Sequence, residues 1–218
     1  VVLQSWARWF TGLYAAGSAS SSGFHGADVL QGNRLLDAIA GGEAAGSHAA
    51  DWIVKRKFTG AAKLEEAFGL AEAELSMLGE ETEGAVQRLN PVVTRLKEIL
   101  TSLQTPATVA SDYEQALEVL EQLSVQGEQL YCDQTSLIAN QNLLEILRIQ
   151  SAIRMALAYV QSALRRTESR GLHQRSDFPQ ADDEQLHHNL IFHDGTCATL
   201  ALRKGPSGNW ILPPSSAV

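Results

Sequence analysis

The feature that most constrains this chain is a run of about a hundred residues, from about Ala62 to Arg166, whose apolar positions recur at helical spacing. Glu, Leu, Ala and Gln dominate it, and no strand signal interrupts it before about His188. Such a pattern buries its apolar stripes by packing helix on helix, so it predicts a bundle. The first helical pattern spans Ala62 to Leu103, where Gly79 and Pro91 predict two or three pieces. The second spans Ser111 to Gly127, with Ser111 as cap and Glu114 completing a capping box. The third starts near Asn140 and runs through Leu143, Leu144, Leu147, Ile153, Leu157, Val160 and Leu164 to about Arg166.

The flanks read differently. Thr11 to Ala16 is short and apolar and is followed by a Gly/Ser run from Gly17 to Gly23, the pattern of a buried strand ending in a loop beside a ligand or another backbone. From about Asn33 to Val54, Leu35, Leu36, Ile39, Ala40, Ala44, Ala45, Ala49 and Ile53 recur at helical spacing. Gly41, Gly42 and Gly46 weaken that helix and imply close packing against a neighbour. Lys55 to Gly60 reads as a linker. Beyond the bundle, Thr167 to Glu184 is a polar, charged loop, and two alternating segments, His188 to His193 and Cys197 to Leu202, flank Asp194-Gly195, a hairpin signal. The expected fold is therefore mainly α with a small β-hairpin tail. The chain opens without Met on VVLQSWARWFTGLYAAG and runs straight into an interior strand pattern, which predicts a start inside a domain.

Charge and composition narrow the function. A net charge of -8 leaves no basic patch to neutralise phosphates, so nucleic-acid binding is not expected. The two cysteines, Cys132 and Cys197, lie in no metal-ligand spacing, and no metal is expected. His187, His188 and His193 resemble a metal cluster, but His188 and His193 fall on opposite faces of a strand. Apolar stretches stop well short of the roughly 20 residues that cross a bilayer, so membrane association is expected only through partner subunits. The cysteine usage fits a reduced cytoplasmic setting, and the expected location is cytoplasmic, peripheral at the inner face of a membrane where such partners exist.

The chemistry-bearing phrase is TGLYAAGSASSSGFHGADVLQGNRLLDAIAGGEAAG: strand, glycine-rich loop with a histidine, helix. Glycines let the backbone approach a bound group, and a helix start offers N–H groups and partial positive charge, which suits an anionic ligand or the pyrimidine edge of a flavin. An ordinary strand-loop-helix connection reads the same way. His25 is the candidate catalytic group, able to donate a hydrogen bond or carry charge. A loop histidine satisfied by backbone is the alternative. Further on, Arg166, Glu168, Arg170, His173, Arg175, Asp177, Asp182 and Asp183 crowd into one segment. They read as a hydrogen-bonded network fixing the helical unit against the FAD domain, in preference to a contact for a redox partner. Asp182-Asp183 reads as helix amino-terminal charge, not an acid/base pair, and Trp6, Trp9 and Trp52 as packing residues.

Gly12, Leu13, Tyr14, Ala15, Ala16 and Gly17, then His25, Gly26, Ala27, Leu30, Gly32, Asn33 and Leu35, resemble the second FAD-contacting stretch of the fumarate reductase, succinate dehydrogenase and L-aspartate oxidase flavoproteins, GLYAAGE…HGANRLGGNSL. RRTESRGLHQRSDFPQADDEQLHHNL, Arg165 to Leu190, is similar to that family's RTESRGAHxRxDFPxRDDxxWLKH. Asn140 to Leu164 is similar to its NTDLLEALEL helix and continuation. The resemblance implies three parts: 1–57 as the carboxy-terminal piece of an FAD-binding domain, 58–170 as the helical bundle, and 171–218 as charged loop and β tail. It implies FAD as cofactor, with Gly17, Ser18, Asn33, Arg34 and Leu35 at the cofactor. It also implies a dicarboxylate substrate, interconversion of fumarate and succinate, and electron transfer to an iron-sulfur protein subunit.

Three departures bear on that implication. Ser18 replaces the family's Glu, Arg34 its Ser, and Val29 the Arg that would hold a substrate carboxylate. An apolar Val makes no charge-assisted bidentate pair, and Arg34 would have to act from a shifted position. The sequence has no GxGxxG turn after a strand and no capping domain, so this chain by itself is expected to be inactive. An L-aspartate oxidase-like flavoenzyme and a non-catalytic helical interaction module lacking a complete FAD site are the alternatives.

Overall fold

A computed structural model of the chain describes residues 12–21, 25–57, 60–77, 87–132, 136, 138–192, 194–201, 203–204 and 210–211. The chain divides into two compact units, Val1–Glu65 with Arg170–Leu172, and Glu66–Ser169 with His173–Val218. Among the described residues there are five α-helices: α1 Asn33–Val54, α2 Ala61–Met77, α3 Leu89–Ser102, α4 Ala110–Glu128 and α5 Gln141–Arg165. The mainly α expectation holds.

The first unit is built around α1, whose bounds are those the apolar spacing predicts. Its buried face differs from the predicted stripe. Asp37, Gly41 and Ala45, one turn apart, are buried, whereas Leu35, Leu36, Ile39 and Ile53 are more than half exposed. The small side chains admit the preceding loop closely, and the large apolar ones lie on the other side. Of the strand expected at 11–16, Thr11 lies outside the described residues. Tyr14 makes a single bridge and Gly17–Ala19 forms a 3-10 turn, so extended pairing among residues 12–16 stops at that bridge.

In the second unit, α3, α4 and α5 enclose the core. Tyr113, Ala116, Leu120 and Leu123 of α4 face Leu143, Ile146, Ile153, Ala156, Val160 and Ala163 of α5, with Val92 and Leu96 of α3 completing the cluster. Alternating steps of three and four residues keep one stripe of each helix inward. Pro91 falls in the first turn of α3, where its missing N–H is of no consequence, so it opens a helix instead of breaking one. α5 starts where the spacing predicts, and Asn140 caps it, its Oδ1 accepting from the Leu143 N–H at 2.9 Å.

The start of α4 corrects the sequence reading. The cap is Val109 and the acid is Asp112, whose carboxylate accepts from the Val109 N–H at 2.9 Å, so Ser111 and Glu114 do not form the capping box. A distant contact moves the boundary: the Asp177 carboxylate accepts from the Ala110 N–H at 3.0 Å, and the Ser176 N–H donates to the Thr108 carbonyl at 3.0 Å.

The tail forms the hairpin, β1 His187–Ile191 antiparallel to β2 Cys197–Ala201, in register from His187↔Ala201 to Ile191↔Cys197. Asp194 accepts from the Thr196 N–H at 2.9 Å and from its hydroxyl at 2.6 Å to close the turn. His193 lies outside the described residues. A second pair, β3 Arg203–Lys204 with β4 Trp210–Ile211, was not anticipated, because two-residue strands carry no alternation.

Candidate functional site

The first unit places the candidate loop against α1. Gly17 adopts φ +63°, and a Cβ there would lie 3.1 Å from the Ala38 Cβ and 3.3 Å from its Cα, so only glycine lets the loop backbone approach the helix this closely. Ser20 is fully buried and locks the turn, its hydroxyl donating to the Gly17 carbonyl at 2.7 Å. Beyond it His25 is half-buried, its Nε2 3.3 Å from Oδ2 of Asp37. Of the predicted site residues, Gly17 is therefore buried against α1, Asn33 is half-buried at the first turn, and Ser18, Arg34 and Leu35 are exposed. Val29 is half-buried, and its N–H donates to the Asp28 carboxylate at 2.7 Å. Gly32, the cap residue of α1, has no side chain to satisfy the first N–H groups of the helix.

Two features of this unit escaped the sequence reading. Asp37 is the partner of His25, and its signal was available: an acid on the same stripe as Gly41 and Ala45 is costly to bury unless paired. The second is Tyr14, whose hydroxyl lies 2.7 Å from Nδ1 of His48 and ties the segment before the loop to the far half of α1.

In the second unit the charged segment after α5 closes on itself. Glu168 is fully buried, paired with Arg166 and accepting from the Asp182 N–H at 2.9 Å. Arg166 also donates to the carbonyls of Gln185 at 2.8 Å and His187 at 2.6 Å. Arg175, 2% exposed, forms a two-pronged pair with Asp177, donates to the carbonyls of Leu164 and Arg166 at 2.8 and 3.1 Å, and stacks over Phe178 and Tyr113. That guanidinium holds the Asp177 carboxyl down at about 2. Burial pushes His173 and His188 below the ordinary histidine value, in His173 against the raising effect of the hydrogen bond that its ring donates to the Arg166 carbonyl. Asp182 caps the short 3-10 helix Asp183–Gln185 as expected, accepting from the Glu184 N–H at 2.9 Å. Within the second unit the segment fastens the end of α5 and the start of α4. Among the described residues no cluster of His, Cys, Asp and Glu could hold a metal ion, and no helix is long and apolar enough to cross a membrane.

A family model described as fumarate reductase flavoprotein C-term matches residues 93–208, more than half of the chain and most of this second unit. The chain belongs to the fumarate reductase flavoprotein C-terminal family. Other members of comparable sequence include the fumarate reductase flavoprotein subunit of Mycobacterium tuberculosis (strain CDC 1551 / Oshkosh), 29% identical over 95% of this chain and 36% of the relative. The succinate dehydrogenase flavoprotein subunit of Coxiella burnetii is 30% identical over 94% of this chain and 35% of the relative. Among solved structures, a variant of FrdA from E. coli quinol fumarate reductase superposes with a TM-score of 0.75 at 25% identity, covering 86% of this chain and 33% of that one. A quinol-fumarate reductase with menaquinol molecules shares the fold with a TM-score of 0.77 at 23% identity, over 95% of this chain and 35% of its own. The chain thus spans about a third of the length of the curated relatives it matches, as a carboxy-terminal portion of this flavoprotein architecture.

Proposed function

We propose that this chain forms the carboxy-terminal part of an FAD-dependent oxidoreductase that interconverts fumarate and succinate, and that it supplies one wall of the flavin site and the helical unit outside it. The observation that carries this reading is the family match over 93–208, joined by relatives named fumarate reductase and succinate dehydrogenase flavoprotein subunits along 94–95% of the chain. The first unit fits the cofactor in kind: a loop that only glycine permits at Gly17, followed by a helix start with no side-chain cap. Gly17, Ser18, Asn33, Arg34 and Leu35 are the residues that would hold FAD. Bound FAD would supply hydride transfer at its N5. Of this chain's residues, His25 would orient or protonate near the flavin, held by Asp37. Val29 offers a dicarboxylate no cation, so Arg34, exposed in the first turn of α1, is the arginine or lysine nearest in sequence to meet one.

An iron-sulfur protein subunit as electron partner, a cytoplasmic location and membrane attachment through partner subunits belong to the same proposal. Support comes from relatives of multi-subunit type, one of them described as the Mycobacterium smegmatis Sdh1 complex. Division into an FAD-domain piece at 1–57, a bundle at 58–170 and a tail at 171–218 is retained as the working frame. Val29 favours a second reading, a non-catalytic interaction module. Absorbance spectroscopy separates the two. A flavoprotein carrying this chain should purify with a flavin band that succinate bleaches and fumarate restores; a colourless protein that takes up no added FAD would overturn the first reading and leave the second.

A further inference from the structure

The three residues Arg170–Leu172 belong to the first compact unit although the chain on either side of them belongs to the second. What they do there is specific. The Leu172 N–H donates to the Ala27 carbonyl at 3.2 Å, and Gly171 sits against the Ala27–Asp28 backbone. A Cβ on Gly171 would lie 2.9 Å from the Asp28 Cβ, 3.0 Å from the Ala27 oxygen and 3.1 Å from the Ala27 carbon. Gly171 also adopts φ +58°, a conformation that a side chain strains even where there is room. Two independent constraints, conformation and space, therefore demand glycine at this one place, and what is approached is backbone, which cannot swing aside as a long side chain would.

The segment approached is the loop that begins at His25 and includes Val29. Its near end is tied to α1 through Asp37. Its middle is gripped by Gly171 and Leu172. We infer that Gly171 and Leu172 are positioning residues for the loop 25–32: they set where its backbone lies, while making no claim on the ligand themselves. This rests on the proposed function only in giving the loop a ligand to face; the grip itself does not depend on it. Leu172 is 75% exposed, so its contribution is the backbone N–H and not side-chain packing.

Amide hydrogen exchange of the full chain tests the grip without any ligand. Gly171→Ala should speed exchange across residues 25–32 about tenfold, the equivalent of about 1.4 kcal/mol of local opening, while α4 and α5 keep their protection. Adding Asp28→Gly to Gly171→Ala removes the nearest colliding carbon and should restore part of the protection. Leu172→Pro deletes the donor without touching the glycine and should loosen the same residues, which covers the case of a Gly171→Ala chain that does not fold. Unchanged exchange at 25–32 in Gly171→Ala, or in Leu172→Pro where Gly171→Ala does not fold, overturns the inference. FAD binding by the wild-type protein is read separately, and its failure would sink the proposed function while leaving the exchange result as it stands.

Discussion

Arg175 concentrates most of what the charged segment does, because one buried guanidinium serves Asp177, two carbonyls and two rings at once. Arg175→Ala should destabilise the second unit by about 2 kcal/mol or more, because it takes a donor from the carbonyls of Leu164 and Arg166 and empties the space between two rings, read as a shift of its denaturant midpoint. Arg175→Lys should recover little, since an ammonium cannot reproduce the two-pronged geometry. Asp177 gives this pair a pH signature. Its folded-state carboxyl lies at about 2 against an ordinary 3.8, so the stability it contributes is present above that ordinary value and is lost as pH falls toward 2. The stability gap between wild type and Asp177→Asn should therefore be widest above pH 4 and close below it; a gap independent of pH would show that the carboxylate's charge is not what matters. At this scale the crowding of charges between Arg166 and Asp183 was legible, while the pairing order was not. Charge density does not reveal that Asp177 would serve both Arg175 and the first turn of α4. Asp37 carried a signal in its place on the stripe of Gly41 and Ala45, but which residue would pair with it was not legible, because His25 comes from a loop whose path no local pattern encodes.

Helices were the most legible elements because each repeats its signal many times over. α1 and α5 were bounded within a residue or so, α5 by an Asn whose side chain closes the first turn. Asn140→Ala should cost the second unit about 1 kcal/mol, measurable as a lowered thermal midpoint, while Asn140→Asp or Asn140→Ser should retain most of the stability. A loss of the same size in all three variants would mean that the bond from the Asn140 amide to the Ser136 carbonyl, 2.9 Å, matters more than the cap. α4 was misplaced at its start because contacts at 176–177, more than sixty residues away, outvote the local Ser-x-x-Glu pattern. The apolar stripe of α1 misled for a related reason. Period 3.6 shows that a helix is amphipathic, but not which of two faces, large-apolar or small-residue, meets the rest of its unit. The hairpin was legible from Asp194-Gly195, whereas β3 and β4 were too short to leave a trace.

At the scale of the whole molecule, the two units are chemically unlike: the first is a glycine-lined loop on one helix, the second a close-packed helical core stapled by buried charge. The family was legible from two long motifs, which keep their order and spacing along the chain. The passage of 170–172 into the first unit was not, because nothing in Ser-Arg-Gly-Leu-His announces which backbone it will lie against. The second unit also holds both histidines whose protonation is disfavoured. For His173 and for His188 burial is the leading cause, and the nearby Arg166 charge adds to it in each. A histidine whose folded-state value lies below 6.5 contributes stability above that value, and the contribution is lost as pH falls through the folded-state value. Acidification from about pH 7.5 to about pH 5.5 should therefore lower the unfolding midpoint of the second unit and the amide protection of α4 and α5. His173→Phe keeps a ring to stack on Tyr113, which now lies 6.5 Å away between centroids, but removes the titrating group. Combined with His188→Phe it should flatten the pH dependence between those limits, even if the midpoint itself drops from loss of the bond to the Arg166 carbonyl. An equal slope in wild type and double variant would show that the acid sensitivity arises elsewhere and that these two rings titrate alike in the folded and unfolded chain.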